Sequence, residues 1–308
     1  MNLKILEHFK SLDEKDFDIV STIEELMSTH NTVKIEDIAK ISGYSLKYVN
    51  KKIGYLDKID ILSAHRIEDN YNNVELNYMG YDALALNELV KKNILQAIGS
   101  PIGIGKESNV FEGILMNENP CALKFHKIGK VRFKSTKRKR EFFATNKNKS
   151  KLYESALNAK REVFALKRLA GLIPVPQVYG YNRHLIAMEL INGAELQNIQ
   201  DLTDIEYQNL FFDLLMYVKT SVSFNIIHGD LSPFNILIGR KDGIIRPTII
   251  DWPQFVELDH PNALDILIND INNIYTFFNK KIKVESLDIE NFGIKLLQEV
   301  KKNLHMRD

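Results

Sequence analysis

The strongest constraint on this chain is the spacing of polar residues in the segment 228–235, HGDLSPFN, which follows an apolar, strand-like stretch. Sixteen residues after Asn235, the sequence IID ends in a second carboxylate, Asp251. Carboxylate and amide oxygens are the ligands that Mg²⁺ prefers, with phosphate and water completing its coordination. The spacing therefore predicts that Asn235 and Asp251 hold Mg²⁺ and that Asp230 accepts or orients a hydroxyl proton.

The composition allows two ordinary domains. At roughly 150 residues per domain, a chain of 308 residues has room for two, each large enough to bury a core. Cys121 is the only cysteine, which excludes an internal disulfide and a multi-cysteine zinc site and fits a reducing compartment. No stretch of about 18 consecutive apolar residues occurs, so we expect a cytoplasmic protein with no membrane association.

The N-terminal region carries the pattern of a winged helix. Apolar residues at helical spacing predict one helix over 14–30 and a second that stops at Gly43. Ser45 is placed to cap a third helix. The stretches 59–62 and 73–76, separated by a polar turn, predict a β-hairpin. Three small helices followed by a hairpin describe a winged-helix domain.

A glycine-containing segment follows, in which backbone N–H groups can approach a polyphosphate closely. Taken alone, the segment fits a hairpin turn equally well, and it lacks the Gly-Lys-Ser/Thr ending of a P-loop. The candidate nucleotide-binding residues here are Gly103, Gly105, Lys106, Glu107, Ser108 and Val110.

Lys124 lies further along the chain, inside an apolar strand over 122–125. A buried ammonium group without a partner is costly, so Lys124 requires a carboxylate or a phosphate. Glu162, on a predicted helix with one apolar face, is the candidate carboxylate, although a solvated helix position fits it as well. A strand lysine that pairs with a helix glutamate orients the ATP phosphates in protein kinases.

The segment 185–193 predicts a strand that leads into a glycine-containing hinge. Its backbone around Met188, Glu189 and Ile191 is placed to contact adenine. A capping-box pattern that starts at Thr203 then predicts a long helix in the C-terminal half.

Positive charge is concentrated in one stretch. Residues 125–151 contain eleven Lys or Arg and one acidic residue, whereas the whole chain has a net charge of +1. Such a stretch is either a solvated mobile loop or a contact to the phosphate backbone of a nucleic acid.

Together these motifs resemble the RIO family of atypical serine/threonine protein kinases, in particular the subfamily with an N-terminal winged helix. The resemblance covers nearly the whole chain. It rests on GYDAL at 80–84, GIGKESNVF at 103–111, LKFHKIGKVRF at 123–133, IPVP at 173–176, YNRH at 181–184, MELING at 188–193, HGDLSPFNIL at 228–237 and IIDWPQ at 249–254. Two departures concern the active segments, because Trp252 stands where the family has Phe, and Leu231-Ser232-Pro233 where relatives often have Phe, Asn and Glu.

The resemblance implies an α+β fold in which a winged helix precedes a reduced two-lobe kinase domain. ATP and Mg²⁺, with Mn²⁺ as an alternative ion, are the implied cofactors. The small ribosomal subunit precursor and its rRNA are the implied partners. The implied division is a winged-helix domain at 1–84, a connecting helix at 85–97, a small lobe at 98–191 with a flexible basic loop at 126–151, and a large lobe at 192–308.

The expected catalytic residues are Lys124, Asp230 and Asp251. Asp270 follows Asp251 by only nineteen positions, which leaves no room for a peptide-docking segment. This favours self-phosphorylation or ATP-driven switching, and the family is thought to form an aspartyl phosphate at the position of Asp251.

Two other functions fit parts of the sequence. HGDLSPFNIL and IIDW suit an aminoglycoside-type small-molecule phosphotransferase equally well, although such enzymes lack a winged helix, the GKES sequence and a basic insertion. A catalytically idle RNA-binding assembly factor is the other alternative, and the presence of all the catalytic side chains argues against it.

Overall fold

The computed structural model describes residues 7–67, 70–127, 147–241, 244–282 and 288–305. The chain divides into two compact units. The first comprises 1–159 and 179–187, and the second comprises 160–178 and 188–308. Within the described residues, no helix has the length and apolar character needed to cross a membrane.

The first unit begins with three helices, α1 (Glu14–Met27), α2 (Ile35–Ser42) and α3 (Leu46–Lys58). Gly43 ends α2 with a φ of 74°, in the left-handed region that favours glycine. The Ser45 side chain accepts a hydrogen bond from the Tyr48 N–H at 3.4 Å and so caps α3. Both helix boundaries predicted from Gly43 and Ser45 are confirmed.

A small antiparallel sheet completes the winged helix. It contains β1 (Val33–Lys34), β2 (Leu62–Ile67) and β3 (Asn70–Leu76) in the order β1-β3-β2. The first hairpin strand, predicted over 59–62, starts only at Leu62. Ile59 still donates its N–H to the Tyr55 carbonyl at the end of α3, and Asp60 then turns the chain with a φ of 64°.

The next helix, α4, runs over Tyr78–Lys91, whereas the sequence predicted a connecting helix over 85–97. It starts early because the Asn77 side chain accepts hydrogen bonds from the N–H groups of Met79 and Gly80 at 3.0 and 3.3 Å. It ends before a turn at Asn93, where φ is 53°.

A five-stranded sheet follows α4. Its order is β4-β5-β6-β8-β7, and its core residues, Phe111, Leu123 and Phe125 among them, belong to the same buried cluster as those of the winged helix. The strands are β4 (Leu95–Ile104), β5 (Ser108–Leu115), β6 (Pro120–His126), β7 (Val178–Asn182) and β8 (Leu185–Glu189).

Most of the basic stretch predicted as a flexible loop over 126–151 lies outside the described residues. His126 is the last residue of β6, and residues 147–151 open the helix α5 (Lys147–Leu169). Helix α5 crosses the division between the two units after Ala159.

The second unit contains a three-stranded antiparallel sheet in the order β11-β10-β9 and three further helices. Thr203 and Glu206 form the predicted capping box at the start of α6. The elements are β9 (Ala194–Glu195), α6 (Asp204–Ser223), β10 (Ile236–Lys241), β11 (Ile244–Ile249), α7 (Ala263–Ile282) and α8 (Ile289–His305).

Candidate active site

The hairpin of β10 and β11 brings two predicted metal ligands to the same end of the second unit. Asn235 precedes β10, Asp251 follows β11, and Ile236 pairs with Ile249 where the two strands meet. The Ile250 N–H donates a hydrogen bond to the Asn235 carbonyl at 3.0 Å. The hairpin therefore brings the chain positions of Asn235 and Asp251 together at one end of the sheet.

Gly229 allows the loop before β10 to turn. Its φ is 83°, and a Cβ atom at this position would lie 2.6 Å from the Gln254 carbonyl oxygen. Any other residue would be strained in its backbone and would also clash with the neighbouring chain. The glycine is thus required by the close approach of the two segments that carry Asp230 and Asp251.

His228 joins these two segments from a buried position. Its Nδ1 accepts from the Asp230 N–H at 3.3 Å, so we assign the proton to Nε2, which donates to the Ile250 carbonyl at 3.0 Å. The imidazole also packs against the indole of Trp252, with ring centroids 4.4 Å apart. His228 therefore links the main chain at Asp230 to the main chain at Ile250.

Asp270, on α7, supports the same loop and was not recognised as functional from sequence. Its Oδ2 accepts from the Gly229 N–H at 2.8 Å and its Oδ1 from the Leu231 N–H at 2.9 Å. Burial raises the pKa of Asp270, while His228 and the two backbone donors oppose this shift. An acidic residue on the buried face of an amphipathic helix is the sequence signal that points to such a residue.

In the sequence, Asp230 lies between Gly229 and Leu231, whose N–H groups donate hydrogen bonds to Asp270. Burial raises the pKa of its carboxyl above the usual 3.8, and the nearby charge of Asp251 adds to this shift. Proximity of two carboxylates is the arrangement expected where a cation or a polyphosphate binds.

The Asn235 side chain has the orientation that a metal ligand needs. Its Nδ2 donates to the Asp230 carbonyl at 2.7 Å, which leaves Oδ1 as the atom available for a cation. Asp251 offers a carboxylate beside it, so the donor chemistry fits Mg²⁺, which these two residues would hold. Among the described residues, no group of three His, Cys, Asp or Glu side chains is arranged for a metal ion, and a site of one amide and one carboxylate needs none.

Trp252 explains one departure from the family pattern. Its side chain is almost fully buried, and its Nε1 donates to the Ile249 carbonyl at 3.1 Å. The larger indole therefore has both a hydrophobic site and a hydrogen-bond acceptor. Asp251, which precedes it, has a φ of 67°.

The glycine-containing segment and Lys124 lie together in the first unit. The segment connects β4 to β5, and its Gly105 N–H donates to the Ser108 carbonyl at 2.9 Å, so it is both a hairpin turn and a glycine loop. Lys124, buried on β6, is the direct cross-strand neighbour of Val110. Glu162 is buried on α5 in the second unit, and its pairing with Lys124 stays a prediction.

The predicted hinge follows β8. Glu189 donates its N–H to the Gln177 carbonyl at 2.8 Å, so only its carbonyl is available for a contact to adenine. Met188 is buried, and Ile191 lies just beyond the strand. The nucleotide-binding and metal-binding roles of all these residues stay predictions.

Comparisons with known proteins agree with this arrangement. The model of the RIO domain matches residues 109–292, and the model of the Rio2 N-terminal domain matches residues 9–92. The predicted fold class, a winged helix followed by a reduced two-lobe kinase domain, is thereby confirmed.

Individual relatives match most of this chain. The RIO-type serine/threonine-protein kinase Rio2 of Methanocaldococcus jannaschii is 36% identical over 266 residues, which cover 85% of this chain and 95% of that protein. The serine/threonine-protein kinase RIO2 of Caenorhabditis elegans is 32% identical, and this chain spans only 54% of its length while 95% of this chain is covered.

A solved structure is also similar. The crystal structure of the Rio2 kinase from Chaetomium thermophilum as an ADP/Mg²⁺-phosphoaspartate complex matches with a TM-score of 0.81 at 28% identity. The match covers 94% of this chain and 88% of that chain.

Proposed function

The chain belongs to the Rio2 family of RIO serine/threonine kinases, and on this premise we propose that it uses ATP and Mg²⁺ for phosphoryl transfer during maturation of the small ribosomal subunit. The observation that carries the catalytic part is the cluster of Asp230, Asn235 and Asp251 on two hydrogen-bonded segments. The match to the Rio2 N-terminal domain favours this function over an aminoglycoside-type phosphotransferase, because such enzymes are expected to lack a winged helix.

Each residue has a distinct task in this proposal. Lys124 pairs with the ATP phosphates, and Asp230 orients the group that accepts the phosphoryl. Asn235 Oδ1 and the Asp251 carboxylate hold Mg²⁺, which neutralises phosphate charge when it is bound. The glycine loop at 103–110 contributes backbone N–H groups to the phosphates.

We further propose that Asp251 itself accepts the phosphoryl group. A carboxylate oxygen of Asp251 attacks the γ-phosphorus, the bond from phosphorus to the β-γ bridging oxygen breaks, and ADP leaves with that oxygen. Water then attacks the phosphorus, releasing inorganic phosphate and the Asp251 carboxylate, while Asp230 takes the water proton. The phosphoaspartate in the Chaetomium thermophilum relative supports this route.

Trapping with γ-labelled ATP tests the proposal. We expect protein-bound label that hydroxylamine removes, because acyl phosphates are cleaved and phosphoserine is not. Asp251→Asn should carry no such label, and Lys124→Ala should lose turnover while remaining folded. Label that resists hydroxylamine and persists in Asp251→Asn would leave a conventional hydroxyl-directed kinase instead.

The second ion and the cellular setting belong to the same proposal. Mn²⁺ should replace Mg²⁺, because both accept oxygen ligands, and measuring turnover with each ion alone tests this substitution. We propose a cytoplasmic location, which fits a chain whose only cysteine, Cys121, is buried and has no second cysteine to pair with.

The ribosomal partner is proposed from charge. The positive charge concentrated in residues 125–151 and the winged helix together suit contacts to rRNA. Affinity for small-subunit rRNA should fall steeply with salt, and glutamine at Lys137, Arg138, Lys139 and Arg140, which lie outside the described residues, should flatten this dependence. An unaltered salt dependence would show that the basic stretch is only solvated.

A further inference from the structure

Arg161 lies on α5 immediately before Glu162 and contacts the loop that follows Asp251. Its Nε donates to the Pro253 carbonyl at 2.9 Å, and its Nη2 donates to the Phe255 carbonyl. The planar guanidinium thus supplies two donors to two carbonyls on one short loop, a geometry that an ammonium group lacks.

Aromatic packing surrounds these hydrogen bonds. The guanidinium carbon lies 4.7 Å from the centroid of the Phe255 ring, and Phe255 stacks on Phe164 with centroids 5.7 Å apart and an interplanar angle of 17°. Phe255 is buried, and burial also lowers the pKa of Arg161. Such contacts in a partly dehydrated setting are stronger than the same contacts at the surface.

The loop needs support because it begins at a strained residue. Asp251 has a φ of 67°, in the left-handed region that non-glycine residues adopt at a cost in free energy. Such conformations persist where the surrounding structure holds them in place. Arg161 holds the loop through carbonyls two and four residues after Asp251.

We propose that Arg161 is a positioning residue for phosphoryl transfer, which keeps the Asp251 loop in metal-binding geometry and ties it to the helix that carries Glu162. The inference rests on the proposed function. It predicts that weakening the Arg161 contacts reduces Mg²⁺ affinity in the nucleotide complex more than it reduces binding of nucleotide alone.

The chain offers both a reporter and a matched control. Trp252 is the only tryptophan and follows Asp251 directly, so intrinsic fluorescence reports on this loop. Arg168, two turns further along α5, also donates through Nε to a carbonyl, that of Phe224 at 2.8 Å, and lies over the Phe164 ring. Phe224 lies eleven residues before the nearest predicted metal ligand, Asn235, whereas the Arg161 acceptor Pro253 lies only two residues after Asp251.

The experiment titrates Mg²⁺ into the full-length protein with ADP and follows Trp252 fluorescence. Arg161→Lys should raise the half-saturating Mg²⁺ concentration about tenfold, with unchanged affinity for ADP in EDTA, whereas Arg168→Lys should match the wild type. Labelled-ATP turnover, measured in parallel, should show the same separation between the two variants.

Three results would overturn the inference. Arg161→Lys with a wild-type Mg²⁺ midpoint would show a purely structural contact, and an equal shift in Arg168→Lys would show a general loss of helix packing. A wild-type protein that binds ADP with no Mg²⁺ response would contradict the proposed metal site itself. Arg161→Gln provides a second variant with one donor group, should lysine prevent folding.

Discussion

Each unit contains a buried histidine and a buried aspartate, and the two pairs are used in opposite ways. In the first unit, His184 Nε2 and Asp82 Oδ1 lie 2.7 Å apart and bond side chain to side chain. In the second unit, His228 and Asp270 direct their polar atoms to the main chain of residues 229–231 and 250.

The first pair joins two elements, since Asp82 lies on α4 and His184 follows β7 in the turn before β8. Arg183, in the same turn, adds an ion pair with Glu24 on α1, with Nε and Oε1 2.7 Å apart. The turn thus fastens the winged helix to the five-stranded sheet within the first unit. Two well-packed apolar side chains can hold a helix and a turn together as well, so apolar residues can in principle replace Asp82 and His184.

The second pair supports a functional loop whose backbone donors need acceptors. No apolar side chain can accept from the N–H groups of Gly229 and Leu231, so Asp270 is not replaceable in the same way. The comparison suggests that a buried polar residue bonded to the main chain of a loop indicates function more strongly than a buried pair of side chains does.

The largest expected effect follows from removing Asp270. Asp270→Ala leaves two buried N–H groups without their acceptor, so we expect the free energy of unfolding to fall by about 2–4 kcal/mol. We expect ATP turnover to fall about 100-fold or more, because Asp230 lies between those two N–H groups. Denaturant unfolding and labelled-ATP turnover measure the two effects.

Asp270→Asn serves as the graded control. Its single carbonyl oxygen can accept from one N–H group, while its amide nitrogen faces the other donor, so both losses should be intermediate. An Asp270→Ala protein that folds and turns over ATP like the wild type would remove the distinction between the two pairs.

A smaller effect on activity is expected from the His184 and Asp82 pair. Asp82→Ala should lower the free energy of unfolding by about 3 kcal/mol, because it removes one partner of a buried pair. Replacing both residues by leucine should recover most of this loss. Turnover should stay within about twofold of the wild type in both proteins, which a double-mutant cycle and parallel assays can measure.

A different result would show that the first pair also affects the chemistry. That result is a double-leucine protein that unfolds as easily as Asp82→Ala and also loses turnover. In that case, the turn that carries His184 contributes to catalysis as well as to stability. Glu24→Gln is a control for this turn, since it weakens the separate, partly buried ion pair with Arg183 and should cost about 1 kcal/mol.

Local signals made much of the fold predictable from sequence. Gly43, Ser45 and Thr203 act through the backbone of their own helix ends, so a short window of sequence contains all the information. The spacing of Asn235 and Asp251 is likewise local, because a two-stranded hairpin connects them. Gly43, Ser45 and Thr203 lie at the helix ends that the sequence predicts.

The parts that escaped prediction depend on contacts between distant residues. Asp270 meets residues about forty positions earlier, and Arg161 meets carbonyls more than ninety positions later. No periodicity or motif encodes such partners. The early start of α4 has a different cause: Asn77 directly follows the predicted strand over 73–76, and the structure shows that its side chain caps the helix.

The smallest expected effect concerns the stability change in Asp230→Asn, which also sharpens the contrast with Asp270. Burial, with the nearby Asp251, raises the pKa of Asp230 above 3.8, so folding favours its protonated form. The stabilisation that protonated Asp230 gives the folded protein is complete at pH values below the pKa of this carboxyl in the unfolded chain. It is lost as the pH rises through the pKa that the carboxyl has in the folded protein. At pH 7 the charged carboxylate therefore makes the folded protein less stable.

Asp230→Asn should accordingly stabilise the protein slightly at pH 7, by less than about 0.5 kcal/mol because solvent screens the partly exposed carboxylate, while turnover is lost. The gain should disappear below about pH 4, where Asp230 is protonated in both states. Asp270 has its pKa raised in the same direction, yet Asp270→Asn should destabilise, because its carboxylate oxygens accept two backbone hydrogen bonds. Thermal unfolding of Asp230→Asn and Asp270→Asn at pH 7 and below about pH 4 measures these stability changes. If Asp230→Asn is less stable than the wild type at pH 7, the Asp230 carboxylate stabilises the loop instead of destabilising it.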